Sequence, residues 1–166
     1  AAEGQVAALV AADWKSAVLV EVNIQTDFAA RNDEFDSFVK NVTTVASKAK
    51  TGAELAAEPF PGGGTLEEAR QALVGKLGEN IIVRRWERVA LTEAGKIHAY
   101  VHMGGKVGVL VAVKTGNADA SKKPEFEKFI DDLAMQAAGM FPLWLGKSNV
   151  PADAVTDVTV VSRSML

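Results

Sequence analysis

One short stretch of the chain decides the fold, and it runs Ala17-Val-Leu-Val-Glu-Val-Asn-Ile-Gln-Thr-Asp-Phe28. Its residues up to Ile24 are almost continuously apolar, which is typical of a strand buried on both faces. The predicted strand ends in three polar residues and one aromatic residue: Gln25, Thr26, Asp27 and Phe28. Asn32 or Asp33 can then cap an amphipathic helix, because apolar residues recur at helical spacing from Phe35 onward.

Phe28 and Asp27 each have two interpretations. An isolated phenylalanine after a strand is most often part of the core, but a residue at a strand end can also carry function on a rigid scaffold. Asp27 can cap a turn or a helix, or it can contact a partner.

The other segments predict further helices and strands. Helical propensity and spacing predict a helix over residues 1–12. Thr65-Leu-Glu-Glu68 is a capping-box sequence that begins a second helix, which ends at Gly78. Residues 80–91 and 96–102 are predicted to form a hairpin. A buried strand is expected over 107–114, and the alternation over 157–162 predicts a last strand.

An internal repeat relates the two halves of the chain. Val18-Leu-Val-Glu-Val22 followed by Glu34-Phe-Asp-Ser-Phe-Val39 is echoed by Val109-Leu-Val-Ala-Val113 followed by Glu125-Phe-Glu-Lys-Phe-Ile130. This pattern predicts a duplicated core in which each half packs a helix on a small sheet. The tetrapeptide ending at Phe28 has no echo in Thr115-Gly-Asn-Ala118.

Composition excludes several classes of protein. The chain has 166 residues, 48% of them hydrophobic and 23% charged, which is ordinary for a globular protein. A net charge of -3 gives no general attraction to nucleic acid or to anionic membranes. The absence of cysteine excludes disulfides and thiolate sites. No apolar run approaches the ~18 residues of a membrane span, and the start does not resemble a targeting peptide. We therefore expect neither a nucleic-acid nor a membrane partner.

No residue pattern favours a metal, a cofactor or bond chemistry. His98 and His102 lie on a predicted strand, where their spacing places them about 13 Å apart, too far for chelation by the pair. Gly62-Gly-Gly-Thr65 lacks the preceding strand and the lysine of a phosphate-binding loop, which favours a flexible connector. Arg84-Arg-Trp-Glu-Arg88 has compensating acids and is predicted to be a solvated strand edge. No catalytic triad or carboxylate pair is evident.

The sequence closely resembles elongation factor Ts, the nucleotide-exchange factor of the GTPase elongation factor Tu. The resemblance rests on segments in the family's order: Leu19-Val-Glu-Val-Asn-Ile-Gln-Thr-Asp-Phe28, Ala30-Arg-Asn-Asp-Glu-Phe35, Lys76-Leu-Gly-Glu-Asn-Ile81, Tyr100-Val-His102 and Gly105-Lys-Val-Gly-Val-Leu-Val111. It implies an α+β fold of two related subdomains, each a small mainly antiparallel sheet packed with helices. We expect residues 1–102 to form the first subdomain and 103–166 the second.

The resemblance also implies a function and a binding site. Asp27 and Phe28 would insert beside the magnesium and phosphate site of elongation factor Tu, and further contacts would come from Gln25, Thr26, Leu77, Gly78 and His102. The compartment would be the cytoplasm, the mitochondrial matrix or the chloroplast stroma. The family's N-terminal helical domain and C-terminal helical extensions have no counterpart in this sequence. The alternative is therefore a structural subunit of a larger ribosomal or organellar assembly, without exchange activity.

Overall fold

The buried strand predicted from Ala17 to Ile24 is the middle strand of a sheet. The computed structural model describes residues 3–149 and the two-residue strand Ser164–Met165. In its first sheet, strand β2 (Ser16–Ile24) lies between β1 (Glu3–Val10) and β3 (Ile82–Ala90), and both pairings are antiparallel. Every residue of β2 after Ser16 is buried. The predicted burial on both faces is confirmed.

The second sheet takes strands from the second half of the chain. Strand β4 (Gly95–His102) pairs with β5 (Val107–Lys114), and β5 pairs with β6 (Ser164–Met165), all antiparallel. The expected last strand over 157–162 lies outside the described residues.

The predicted hairpin over residues 80–91 and 96–102 is wrong. Strand β3 pairs with β2 and strand β4 pairs with β5, so the turn at Thr92 to Ala94 carries the chain from one sheet to the other. The predicted subdomain boundary between residues 102 and 103 falls in the turn between β4 and β5, whereas the change of sheet takes place between β3 and β4.

The predicted helix over residues 1–12 is also wrong, because Glu3–Val10 form β1. Gly4 has φ 147°, and a methyl group built at this position would lie 2.1 Å from the backbone oxygen of Val22. Only glycine permits this close approach of β1 to β2. Val6, in β1, is buried in the core.

The predicted long helices are present and are capped as expected. Helix α1 (Asp27–Ala30) is a single turn, and α2 (Asp33–Lys48) begins after Asn32, whose Oδ1 accepts a hydrogen bond from the Glu34 N–H at 2.8 Å. Helix α3 (Leu66–Leu77) begins with the predicted capping box and ends at Gly78, which is left-handed at φ 71°. Helix α4 (Pro124–Met140) lies between β5 and β6 in the chain. No helix within the described residues has both the length and the apolar character needed to cross a membrane.

The repeat is visible in the packing and at the junction of the two sheets. Helix α2 packs on the first sheet and α4 on the second, each around its own core. Between the sheets, the Val6 N–H donates to the Gly105 carbonyl at 2.6 Å and the Ile97 N–H to the Trp14 carbonyl at 2.8 Å. The sequence separation that relates Val18 to Val109 in the repeat also relates Val6 to Ile97 and Trp14 to Gly105. This repeat offset therefore maps one of the two hydrogen bonds onto the other. The predicted α+β fold of two related units is confirmed.

Candidate functional site

The polar residues after β2 form a rigid tip that presents Phe28 to solvent. Thr26 is the N-cap of α1, and its hydroxyl oxygen accepts a hydrogen bond from the Ala29 N–H at 3.3 Å. Phe28, one residue inside this short helix, is 86% exposed. The interpretation of Phe28 as a core residue is therefore excluded.

Asp27 lies beside Phe28 and does not cap the helix. It is the first residue of α1, and its carboxylate forms an ion pair with Arg31 at 3.2 Å. Half of the side-chain surface of Asp27 remains exposed. The capping role belongs to Thr26, and the Asp27 carboxylate pairs with Arg31 in a solvent-exposed pair that is weak and easily exchanged for another cation.

The end of α3 lies against this tip. The Glu79 carboxylate accepts hydrogen bonds from the Thr26 N–H at 3.0 Å and the Thr26 hydroxyl at 2.6 Å. The Asn80 N–H donates to the side-chain oxygen of Gln25 at 2.9 Å. These bonds bring together two of the predicted contact segments, Gln25–Phe28 and Leu77–Gly78. We call residues 25–28 and 77–80 together the tip surface.

His102 lies at the end of β4, in the second sheet, and its side chain is exposed. Its ring stacks on that of Tyr100 with centroids 5.7 Å apart, and its Nδ1 is 2.8 Å from the Tyr100 hydroxyl. The turn that follows His102 is linked to α1 by Gln5. The Gln5 amide donates to the Ala30 carbonyl at 2.8 Å, and a methyl group built at Gly105 would lie 3.3 Å from the Gln5 Cβ.

The other histidine is engaged elsewhere. His98 Nε2 lies 3.0 Å from an Asp131 oxygen, and its ring stacks on Trp14. Within residues 3–149 and 164–165, no group of three or more His, Cys, Asp or Glu side chains could hold a metal ion.

A cavity of about 520 Å³ lies between α3 and β3, and two of its ionisable groups, Glu67 and Arg70, form an ion pair at 2.6 Å. The pKa of Glu67 is lowered to about 2, first by hydrogen bonds from Arg70 and then by one from Gln71. Arg70 also donates to the Ile81 carbonyl at 2.7 Å, so this pair ties α3 to the start of β3. Glu67 is thus a structural carboxylate rather than an acid or base poised near neutral pH.

A family model described as elongation factor TS matches residues 25–165. The chain belongs to the elongation factor Ts family. It is 41% identical over 155 residues to elongation factor Ts of Symbiobacterium thermophilum, with 93% of this chain and 49% of that protein covered. It is 40% identical to that of Nautilia profundicola, with 100% and 54% covered. Identity to that of Arthrospira platensis is 42%, with 91% and 57% covered.

These comparisons confirm the family resemblance, and they also show its extent. The chain spans about half the length of the curated elongation factor Ts relatives it matches. The tip surface and the turn after His102 both fall within the part matched by the family model.

Three residues of the candidate site were not predicted from the sequence: Glu79, Asn80 and Gln5. Glu79 and Asn80 stand in one of the segments that carry the resemblance, directly after Leu77 and Gly78, so their place next to a predicted contact was the available signal. Gln5 offered no signal, because its segment was predicted to be helical.

Proposed function

We propose that this chain promotes guanine-nucleotide release from elongation factor Tu by inserting Asp27 and Phe28 beside the magnesium and phosphate site of that GTPase. The observation that carries the proposal is the 86% exposure of Phe28 in the short helix α1, which follows the buried strand β2. Membership of the elongation factor Ts family supports the choice of partner.

An exposed phenylalanine on a fixed backbone favours a binding role. Moving a phenylalanine from water into an apolar pocket is worth about 1.5–3 kcal/mol. Phe28 gains nothing of this within its own chain, but its backbone is fixed by the cap and by Glu79. The gain is therefore available to a partner pocket, and little backbone freedom is lost on docking.

Phe28 cannot supply the whole effect. Nucleotide bound at nanomolar affinity corresponds to about 12 kcal/mol, and a ten-thousandfold faster release requires a barrier about 5.5 kcal/mol lower. This exceeds the contribution of one phenylalanine, so a broader interface of roughly 1,000 Å² or more has to contribute. We assign Leu77, Gly78 and His102, with Gln25 and Thr26, to that interface.

The proposed activity makes and breaks no covalent bond. The effects of nucleotide and of this chain on each other's binding to the GTPase are reciprocal. If the chain weakens nucleotide binding by some factor, nucleotide must weaken binding of the chain by the same factor. The proposed place of action is wherever translation takes place, in the cytoplasm or, for an organellar protein, the mitochondrial matrix or chloroplast stroma.

Stopped-flow release of a fluorescent GDP analogue from elongation factor Tu tests the proposal. Phe28→Ala is expected to lower the stimulated release rate by about 10- to 100-fold, the equivalent of 1.5–3 kcal/mol, and Asp27→Ala is expected to lower it less. Phe129→Ala is the matched control, since Phe129 is an exposed phenylalanine on α4 at 53%, and it should leave the rate unchanged.

The second candidate function is a structural subunit of a larger assembly. It is favoured by the exposed apolar side chains at and after the end of α4, Met140, Leu143 and Leu145, which are 71%, 75% and 76% exposed. Unchanged release rates in both tip variants, together with the same rates for the unmodified chain and for buffer alone, would support this candidate and contradict the exchange function.

A further inference from the structure

We propose that Glu79 is a positioning residue for nucleotide exchange: its carboxylate fixes the direction in which Phe28 projects. The inference rests on the proposed function, and it assigns to Glu79 an action through the tip rather than a contact with the GTPase. Glu79 follows the Leu77–Gly78 segment and reaches a residue far away in the sequence, Thr26.

Both oxygens of the Glu79 carboxylate bind the same residue. Oε2 accepts from the Thr26 N–H at 3.0 Å and Oε1 from the Thr26 hydroxyl at 2.6 Å. Two parallel bonds from one planar group fix orientation as well as distance. Thr26 therefore cannot rotate relative to Glu79 without breaking at least one bond.

The carboxylate also decides the direction of the hydroxyl proton. An ionised carboxylate only accepts hydrogen bonds, so the single Thr26 hydroxyl proton points to Glu79. A lone pair of the same oxygen is then free to accept from the Ala29 N–H at 3.3 Å, which is the N-cap bond of α1. Helix α1 has four residues, too few to be stable without such outside support. Glu79 thus supports the N-cap bond that keeps Phe28 in its helical conformation.

Glu79 itself stands on a rigid base. Gly78 ends α3 in a left-handed conformation with its N–H bonded to the Val74 carbonyl at 2.9 Å, and Leu77 packs on the first core. The bond between the Asn80 N–H and Gln25 is a second connection on the other side of Glu79. The tip is therefore held to α3 at two consecutive residues, Gln25 and Thr26.

Among the described residues, the second repeat has an equivalent side-chain hydrogen bond without this connection. Asn117 corresponds to Thr26 by the repeat offset, and its Oδ1 accepts from the Ala120 N–H at 2.8 Å. The other bond of Asn117, from the Thr115 hydroxyl to its carbonyl, is equally local. A local bond from a backbone N–H to a side-chain oxygen is thus common to both repeats. Within the described residues, the long-range carboxylate belongs to the repeat that presents the phenylalanine.

A double-mutant cycle on nucleotide release from elongation factor Tu tests the inference. Glu79→Ala is expected to slow stimulated release about tenfold, the worth of a charge-assisted hydrogen bond, and to add less than about twofold in a Phe28→Ala background. Glu79→Gln should stay within about threefold of the unmodified chain, because its amide oxygen can still accept from the Thr26 N–H and its amide group can donate to the hydroxyl oxygen. Glu127→Ala, which removes an exposed glutamate paired with Lys96 on the second repeat, is the control and should have no effect.

Amide hydrogen exchange of the chain alone supplies a readout that does not require the GTPase. In Glu79→Ala the amides of Thr26 and Ala29 should exchange faster, while those of β2 remain protected. Unchanged protection at both amides would overturn the inference.

The kinetic outcomes separate this inference from the function on which it rests. A rate that falls in Phe28→Ala but not in Glu79→Ala overturns the inference and leaves the proposed function standing. A Glu79→Ala effect of the same size with and without Phe28 also overturns it, because Glu79 would then act independently of the tip. A rate that neither Phe28→Ala nor Glu79→Ala changes contradicts both.

Discussion

The two repeats form an equivalent side-chain hydrogen bond after their central strands, but they present different side chains beside it. In the first repeat the Thr26 hydroxyl oxygen accepts from the Ala29 N–H and Phe28 stands two residues after Thr26. In the second, the Asn117 side-chain oxygen accepts from the Ala120 N–H and Asp119 occupies the position of Phe28. The phenylalanine is 86% exposed, and the aspartate pairs with Lys122 in solvent. Of these two corresponding positions, one therefore presents an exposed apolar ring and the other a solvated ion pair.

The repeats also differ in what covers their helices. Phe38 on α2 corresponds to Phe129 on α4, yet Phe38 is 4% exposed and Phe129 is 53% exposed. The segment between α2 and β3 provides the difference, because Phe60 lies against Phe38 with ring centroids 5.6 Å apart. The first repeat is therefore the better-packed support, as a rigid tip requires.

The largest effect on stability should come from exchanging this pair of phenylalanines for alanine one at a time. Phe38→Ala removes a buried ring and should lower the free energy of unfolding by about 3–5 kcal/mol. Phe129→Ala should lower it by less than about 1 kcal/mol, because the ring is already half exposed. Urea denaturation of the two variants measures the difference, and equal losses would show that the repeats are packed alike.

A smaller effect is expected where the repeats touch each other. Gly108 occupies the position of Ala17 in the first repeat, but a methyl group built at Gly108 would lie 2.5 Å from Val6 Cγ1 and 2.8 Å from Leu19 Cδ1. Gly108→Ala should therefore cost about 1–3 kcal/mol through overpacking.

Gly116→Ala is the matched control for Gly108→Ala, since nothing lies within 4 Å of its added methyl group, and it should change stability by less than about 0.5 kcal/mol. Denaturation midpoints of the two variants decide the matter. A neutral Gly108→Ala would mean that the contact between the repeats is loose.

The smallest effect concerns Glu67, on the α3 segment that covers the first repeat. Its folded pKa of about 2 lies below the ordinary value of 4.5. The pairing with Arg70 therefore adds fully to stability above about pH 4.5 and is lost as the pH falls from there toward about 2. Because 37% of the Glu67 side chain is exposed, we expect no more than about 1 kcal/mol.

Denaturation of the unmodified chain and of Glu67→Gln at several pH values measures this contribution. The unmodified chain should be the more stable of the two at pH 7, and the difference should vanish near pH 2. A difference that persists at pH 2 would mean that the Glu67 charge is not its source.

Sequence alone predicted the elements that are set by local patterns. Continuous apolar residues identified β2, helical spacing with Asn32 identified α2, and the capping box with Gly78 identified both ends of α3. Strand β1 was mistaken for a helix because its alanines favour a helix locally, whereas pairing with β2 decides its conformation. The partner of β3 could not be predicted either, since a short polar turn is compatible with a hairpin or with a passage to another sheet.

For the candidate site, the sequence named candidate residues but not the contacts that hold them together. Family resemblance pointed to Thr26, Asp27 and Phe28, and the exposure of Phe28 agrees with a role at the surface. The Glu79 bonds depend on how α3 packs beside the end of β2, a long-range relation that no local pattern encodes.

The release rate of fluorescent GDP from elongation factor Tu in the presence of Phe28→Ala and of Asp119→Ala, each against the unmodified chain, tests the central claim most directly. These residues occupy the same place in the two repeats, so the pair isolates the side chain from the turn that carries it. We expect Phe28→Ala to lose about 10- to 100-fold of the stimulated rate and Asp119→Ala to lose none. Equal rates for the two variants would contradict the account.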